Sequence, residues 1–120
     1  LAACRAKGRT AIRGAAIEPE IIDLILFLQK LGVVIYVDVD RTIYVQETKT
    51  FYEVEHTVIT DRIEAACLGM MGIATKGKVF VEGAQQPHML TFLNKLRQIN
   101  GGFSVKENGI EFFYQGPLKG

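Results

Sequence analysis

The chain has 120 residues, less than one average domain of about 150, which excludes a complete multidomain enzyme within them. Its 14 basic and 13 acidic residues leave a net charge of +1, which makes no electrostatic case for nucleic acid or an anionic membrane as partner. Hydrophobic residues at 48% and charged residues at 22% exclude a disordered segment.

Taken in chain order, Thr10 to Gly14 reads as a short strand after a Lys-Gly-Arg turn. Glu18 to Leu31 reads as a helix, with Pro19 in its first turn and Gly32 as its stop. Val33 to Asp38 and Thr42 to Gln46 are β-branched and aromatic, hence strands, joined by Val39-Asp40-Arg41. Tyr52 to Val58 alternates and predicts a strand with one wet face. Asp61 to Thr75 predicts a helix, Lys78 to Glu82 a strand, and Pro87 to Asn100 a helix stopped by Gly101-Gly102. Phe103 to Lys106 and Ile110 to Tyr114 form a hairpin marked by Asn108-Gly109. The longest uncharged apolar run, Ala65 to Thr75, has 11 residues, against the roughly 20 that a bilayer requires. Leu1 to Gly8 contains Arg5 and Lys7 and does not read as a signal peptide.

The chain repeats itself. At an offset of 69, Lys7, Gly8, Gly14, Ala15, Leu24, Gln29, Gly32 and Gln46 fall on identical residues, 8 identities in 40 ungapped positions. Chance gives about two or three at residue frequencies near 6%. Matched glycines imply matched turns. The complete unit is β-α-β-α-β-β, from about Phe51 onward. Leu1 to Lys7 matches Met70 to Lys76, the tail of the Asp61–Thr75 helix, so the first copy begins mid-helix and reads as a segment of something longer. Two helices, over Ile21–Leu28 and Ala65–Ala74, are apolar all round and predict cover on every side. Pro87 to Asn100 carries one stripe, Met89, Leu90, Phe92, Leu93, Leu96 and Ile99, and predicts a peripheral helix.

The stretch Ala15-Ala16-Ile17-Glu18-Pro19-Glu20-Ile21-Ile22-Asp23-Leu24, with Phe27-Leu28 and Leu31-Gly32, resembles the UDP-N-acetylglucosamine 1-carboxyvinyltransferases. So does Asp61-Arg62-Ile63-Glu64-Ala65, some 40 residues on. The resemblance covers essentially the whole chain and places it in the middle of a longer enzyme. It implies an α/β (α+β) fold of repeated β-α-β-α-β-β units, three in each of two lobes, with helices packed inside and sheets outside. Residues 1–59 would finish one lobe and residues 60–120 would start the other. It also implies transfer of the carboxyvinyl group of phosphoenolpyruvate to the 3-hydroxyl of UDP-N-acetylglucosamine, in the cytoplasmic synthesis of peptidoglycan. No cofactor and no metal are implied. The family's proton-donor loop, phosphoenolpyruvate-binding lysine and base aspartate fall outside this chain, so no catalytic residue is expected within it. The alternatives are a 3-phosphoshikimate 1-carboxyvinyltransferase segment and a non-catalytic interaction module. Apolar helix surface left uncovered would favour self-association of the isolated chain.

The resemblance singles out Glu18, Glu20, Asp61, Arg62 and Glu64 as candidates facing the substrate cleft. Each has a plainer reading. Glu18 and Glu20 beside Pro19 suit a helix N-terminus, where a carboxylate contributes about 0.3–1 kcal/mol. Asp61 suits an N-cap, with Glu64 reaching back to close a capping box. Arg62 opposes the dipole there, which makes it the better functional candidate at this helix start. Two positions depart from the family: Ile17, where Arg is usual, and Thr60, where Pro is usual and whose absence predicts a looser hinge. Cys4 and Cys67 match no catalytic motif and read as buried free thiols of a reducing compartment. His56 and His88 read as single histidines without metal-ligand spacing. Lys7-Gly8-Arg9 and Lys76-Gly77-Lys78 read as helix ends, and Gly69 and Gly72 as close-packing positions.

Overall fold

A left-handed glycine, Gly8, turns the chain out of a short 3-10 turn over Ala2–Arg5 and into strand β1, Arg9–Ile12. The computed structural model describes residues 1–120 and divides into two compact units, Leu1–Ile59 and Thr60–Gly120. In the first unit β1 is followed by α1 (Pro19–Lys30), β2 (Ile35–Val37) and β3 (Ile43–Gln46). The second unit holds α2 (Arg62–Ala74), β4 (Lys78–Glu82), α3 (Leu90–Gln98), β5 (Gly101–Lys106) and β6 (Gly109–Tyr114).

Each unit has one antiparallel three-stranded sheet, with strand order β1-β3-β2 in the first and β4-β6-β5 in the second. The repeat is therefore real at the level of topology. It is not gapless in space. Arg9 pairs with Gln46, whereas Lys78 pairs with Phe113, so the last strand of the second copy runs two residues early. Gln115 is not the counterpart of Gln46. The residues are lost between helix and hairpin tip. A left-handed Gly32 ends α1, but the left-handed residue after α3 is Asn100, one position before Gly101. The five residues 38–42 between the paired Val37 and Ile43 become four, 106–109, between the paired Val105 and Ile110. Gly101 serves packing instead: a Cβ there would strike the Leu96 side chain.

Two compact cores form, one under each sheet. Ile25 and Leu28 of α1 pack with Val33, Ile35, Ile43 and Val45. Leu93 and Leu96 of α3 pack with Ile73, Val81, Ile110 and Phe112. Burying one such side chain contributes about 1.5–3 kcal/mol. Helix α2 lies close on its sheet because it presents glycine: a Cβ at Gly69 would come 2.8 Å from the Phe112 ring, and one at Gly72 2.8 Å from Val79.

Four expectations are corrected. Tyr52–Val58 is not a strand: it pairs with no strand of either sheet, and alternation without a pairing partner makes no ladder. Its alternation survives only as half-burial of Val54 and His56 against exposed Glu53, Glu55 and Thr57. The apolar helices are not covered on every side: each lies on a single sheet, leaving Leu26 of α1 49% exposed and Met71 of α2 59% exposed. The expected helix from Pro87 splits into a 3-10 turn, Gln86–His88, and α3, because Met89 between them holds φ −122°. Leu90 then points away from the stripe, exposed, while Met89 is buried. Cys4 is buried as expected, but Cys67 is exposed, two residues past Ala65 and so off the sheet-facing side of α2. No helix is long and apolar enough to cross a membrane.

Candidate functional site

The five candidates occupy two helix starts, one in each unit. Glu18 is the N-cap of α1, in extended conformation with φ −60° and ψ 159°, with Pro19 next. Its carbonyl accepts from the amides of Ile21 at 2.9 Å and Ile22 at 3.1 Å, while its side chain makes no cap bond. Glu20 follows in the first turn, exposed. Pro19 explains why the helix starts here: its fixed φ suits the first helical position, and its missing N–H would have had no partner anyway. Two carboxylates at a positive dipole end are stabilised there. Ile17, in the place usual for Arg, is 45% exposed.

At the second start, Asp61 is the N-cap of α2. Its Oδ1 accepts from the amides of Ile63 at 2.8 Å and Glu64 at 3.1 Å. The capping reading of Asp61 is thus what the side chain does. The capping box is only half built: no bond returns from the Glu64 carboxylate, which stays exposed. Arg62 is half-buried in the first turn. Asp61 and Glu64 line, with Thr60, Glu82 and Phe80, an open depression of about 350 Å³ in the second unit. Three carboxylates at its rim give that depression a negative character that suits a cationic group. Glu18 and Glu20 belong to the first unit and the other three to the second.

Thr60 does what the usual proline cannot do so well. Its Oγ1 donates to the Gly83 carbonyl at 2.7 Å, and its methyl group sits where a Cβ on left-handed Gly83 would lie, at 2.9 Å. The first residue of the second unit is thereby tied to Gly83 within that unit.

One cluster escaped the sequence reading. His56 is not alone: its Nε2 lies 3.1 Å from both carboxylate oxygens of Asp23, and its Nδ1 lies 3.4 Å from Lys30 Nζ. The imidazole also meets the Phe27 ring, at 5.4 Å between centroids. Asp23, Phe27 and Lys30 are spaced by four and three residues on one face of α1, which is the signal that could have found the cluster. The polar exception in an apolar helix, Asp23, was the clue.

The model of the EPSP synthase family, described as 3-phosphoshikimate 1-carboxyvinyltransferase, matches residues 1–120. The chain is 68% identical over 120 residues to a UDP-N-acetylglucosamine 1-carboxyvinyltransferase of Protochlamydia amoebophila, all of this chain and 26% of that protein. It is 61% identical over 120 residues to one of Chlamydia abortus, covering 27% of it. The fold matches the crystal structure of the enolpyruvyl transferase NikO from Streptomyces tendae with TM-score 0.80 and 16% identity, over 98% of this chain and 29% of that one. The chain thus spans about a quarter of the length of the curated relatives it matches.

Proposed function

Because the chain belongs to the EPSP synthase family over its whole length, we propose that it is part of an enzyme that transfers the carboxyvinyl group of phosphoenolpyruvate to the 3-hydroxyl of UDP-N-acetylglucosamine. One observation carries this reading: 68% identity across all 120 residues to a relative that bears the corresponding name. The enzyme would serve peptidoglycan synthesis in the cytoplasm, with consequences for cell shape and division. Residues 1–59 would close one lobe and residues 60–120 open the other.

Within this scheme the chain frames the cleft and leaves the chemistry to other segments. Such a transfer needs cations for two anionic substrates, a proton donor for the vinyl carbon and a base for the hydroxyl. Glu18, Glu20 and Glu64 are carboxylates that would orient cationic side chains at the cleft, and Arg62 would meet a substrate anion. Asp61 would hold α2 in register for Arg62. No cofactor or metal enters the scheme.

The assay is phosphate release by the full-length protein carrying these residues. We expect release with phosphoenolpyruvate plus UDP-N-acetylglucosamine, and none from the isolated 120 residues. Arg62→Ala in the full-length protein is expected to lower kcat/KM at least tenfold. A second reading, transfer to 3-phosphoshikimate, is favoured by the description of the family model alone. Release with shikimate 3-phosphate but not with the UDP-sugar would replace the first reading by the second.

A further inference from the structure

We propose that the outer face of the first sheet is a docking surface for a short acidic segment of a partner protein, read by Arg9, Tyr36 and Tyr44. The surface belongs to the first unit alone, and the proposal holds whichever substrate the enzyme uses.

Strand alternation sorts the residues of this sheet. Ile35, Ile43 and Val45 face the core. Their neighbours Val34, Tyr36, Tyr44 and Gln46 therefore face the other way, with Arg9 paired to Gln46 and Ala11 to Tyr44. Tyr44 is half-buried and the others are exposed. The Tyr36 and Tyr44 rings stack across the strands, 4.9 Å between centroids and 28° between planes. The Arg9 guanidinium lies over the Tyr44 ring, 4.1 Å from its centroid.

The second copy shows that the fold does not require this arrangement. Strand pairing puts Lys78 in the place of Arg9, Glu111 in that of Tyr44 and Ser104 in that of Tyr36. There Lys78 meets Glu111 at 3.6 Å, charge against charge. On the same diagonal of the first copy a cation meets a ring. No carboxylate of these 120 residues pairs with Arg9. A ring face attracts a cation without neutralising it, so Arg9 is held in position with its charge still unanswered.

That chemistry selects the occupant. The open charge calls for a carboxylate, which a guanidinium takes through two parallel N–H bonds. Tyr36, 47% exposed, and Val34, 64% exposed, offer a rigid ring and an apolar neighbour to a planar side chain beside that carboxylate. Tyrosine and arginine are the side chains that most often anchor a protein partner. Three strands of three or four residues make a face of about 10 Å by 13 Å, which fits an extended segment of a few residues and not a folded domain. One arginine answers one carboxylate, whereas a polynucleotide needs a row of cations.

The test is selection of random heptapeptides displayed on phage against the full-length protein, followed by fluorescence anisotropy of the enriched peptides. We expect those peptides to carry an acidic residue within two positions of an aromatic one, and to bind more weakly as salt rises. Arg9→Gln and Tyr36→Ser should each weaken binding at least tenfold. Tyr44→Glu, which rebuilds the ion pair of the second copy, should abolish it. Circular dichroism confirms that each variant is folded. If Tyr44→Glu does not fold, Arg9→Gln and Tyr36→Ser decide. No enriched peptide, enriched peptides without an acidic residue, or affinities unmoved by salt or by any of these substitutions in folded protein would each overturn the proposal. So would an oligouridine RNA that binds more tightly than the peptides and is lost in Arg9→Gln, which would give the face to nucleic acid instead.

Discussion

Asp61 shows how much a single side chain can carry at a helix start. Its Oδ1 takes two of the amides that α2 would otherwise leave without partners. Asp61→Ala should lower stability by about 1 kcal/mol, and Asp61→Asn by much less, since asparagine caps nearly as well. Denaturant titration of the full-length protein measures both. The result also separates roles: a loss of activity in Asp61→Asn without a loss of stability would assign the carboxylate a charge role beyond capping. At this scale the sequence was readable where the chemistry is local. Glu18, Pro19 and Asp61 announce helix starts from neighbours alone. The partners of His56 were not readable, because Asp23 and Lys30 lie 33 and 26 residues away and meet it only after α1 has formed.

Among the elements, α2 is the one whose sequence and packing disagree most usefully. Two helical glycines should weaken it by about 0.8–1 kcal/mol each relative to alanine. They stay because Phe112, wholly buried, and Val79 fill the space a Cβ would need. Gly69→Ala therefore sets a propensity gain of about 1 kcal/mol against an overpacking cost of about 1–3 kcal/mol. The Phe112 ring has no exposed side to retreat to, so overpacking wins and the melting temperature should fall. Calorimetry of the full-length protein checks the sign. Strands were legible where alternation coincided with a partner, as in β4 and β6. Tyr52–Val58 has the same alternation and no partner, so pattern alone overstated it. A strand is a property of two segments, and the sequence shows one at a time.

For the whole molecule, the fold class and the repeat were legible because turns and apolar periods recur in both copies. How far the helices are covered was not, since burial depends on everything packed around them. Leu26 at 49% and Met71 at 59% exposure leave apolar surface on α1 and α2. The isolated 120 residues are therefore expected to self-associate. Light scattering should return a mass above that of one 13.3 kDa chain, and Leu26→Lys with Met71→Lys should restore the monomer. A monomer without those substitutions would remove apolar exposure as a driver of association.

The offset between the copies drifts by two residues from β1 and β4 to β3 and β6. The drift is taken up one residue at a time in the connections, since Ile35 corresponds to Phe103 at an offset of 68. Val45 and Phe112 stay buried alike because each strand keeps its register with its neighbours. Connections can thus change length by single residues without turning a sheet face from core to surface. An engineer grafting the tight β5–β6 hairpin into the first copy should match strand register rather than loop length.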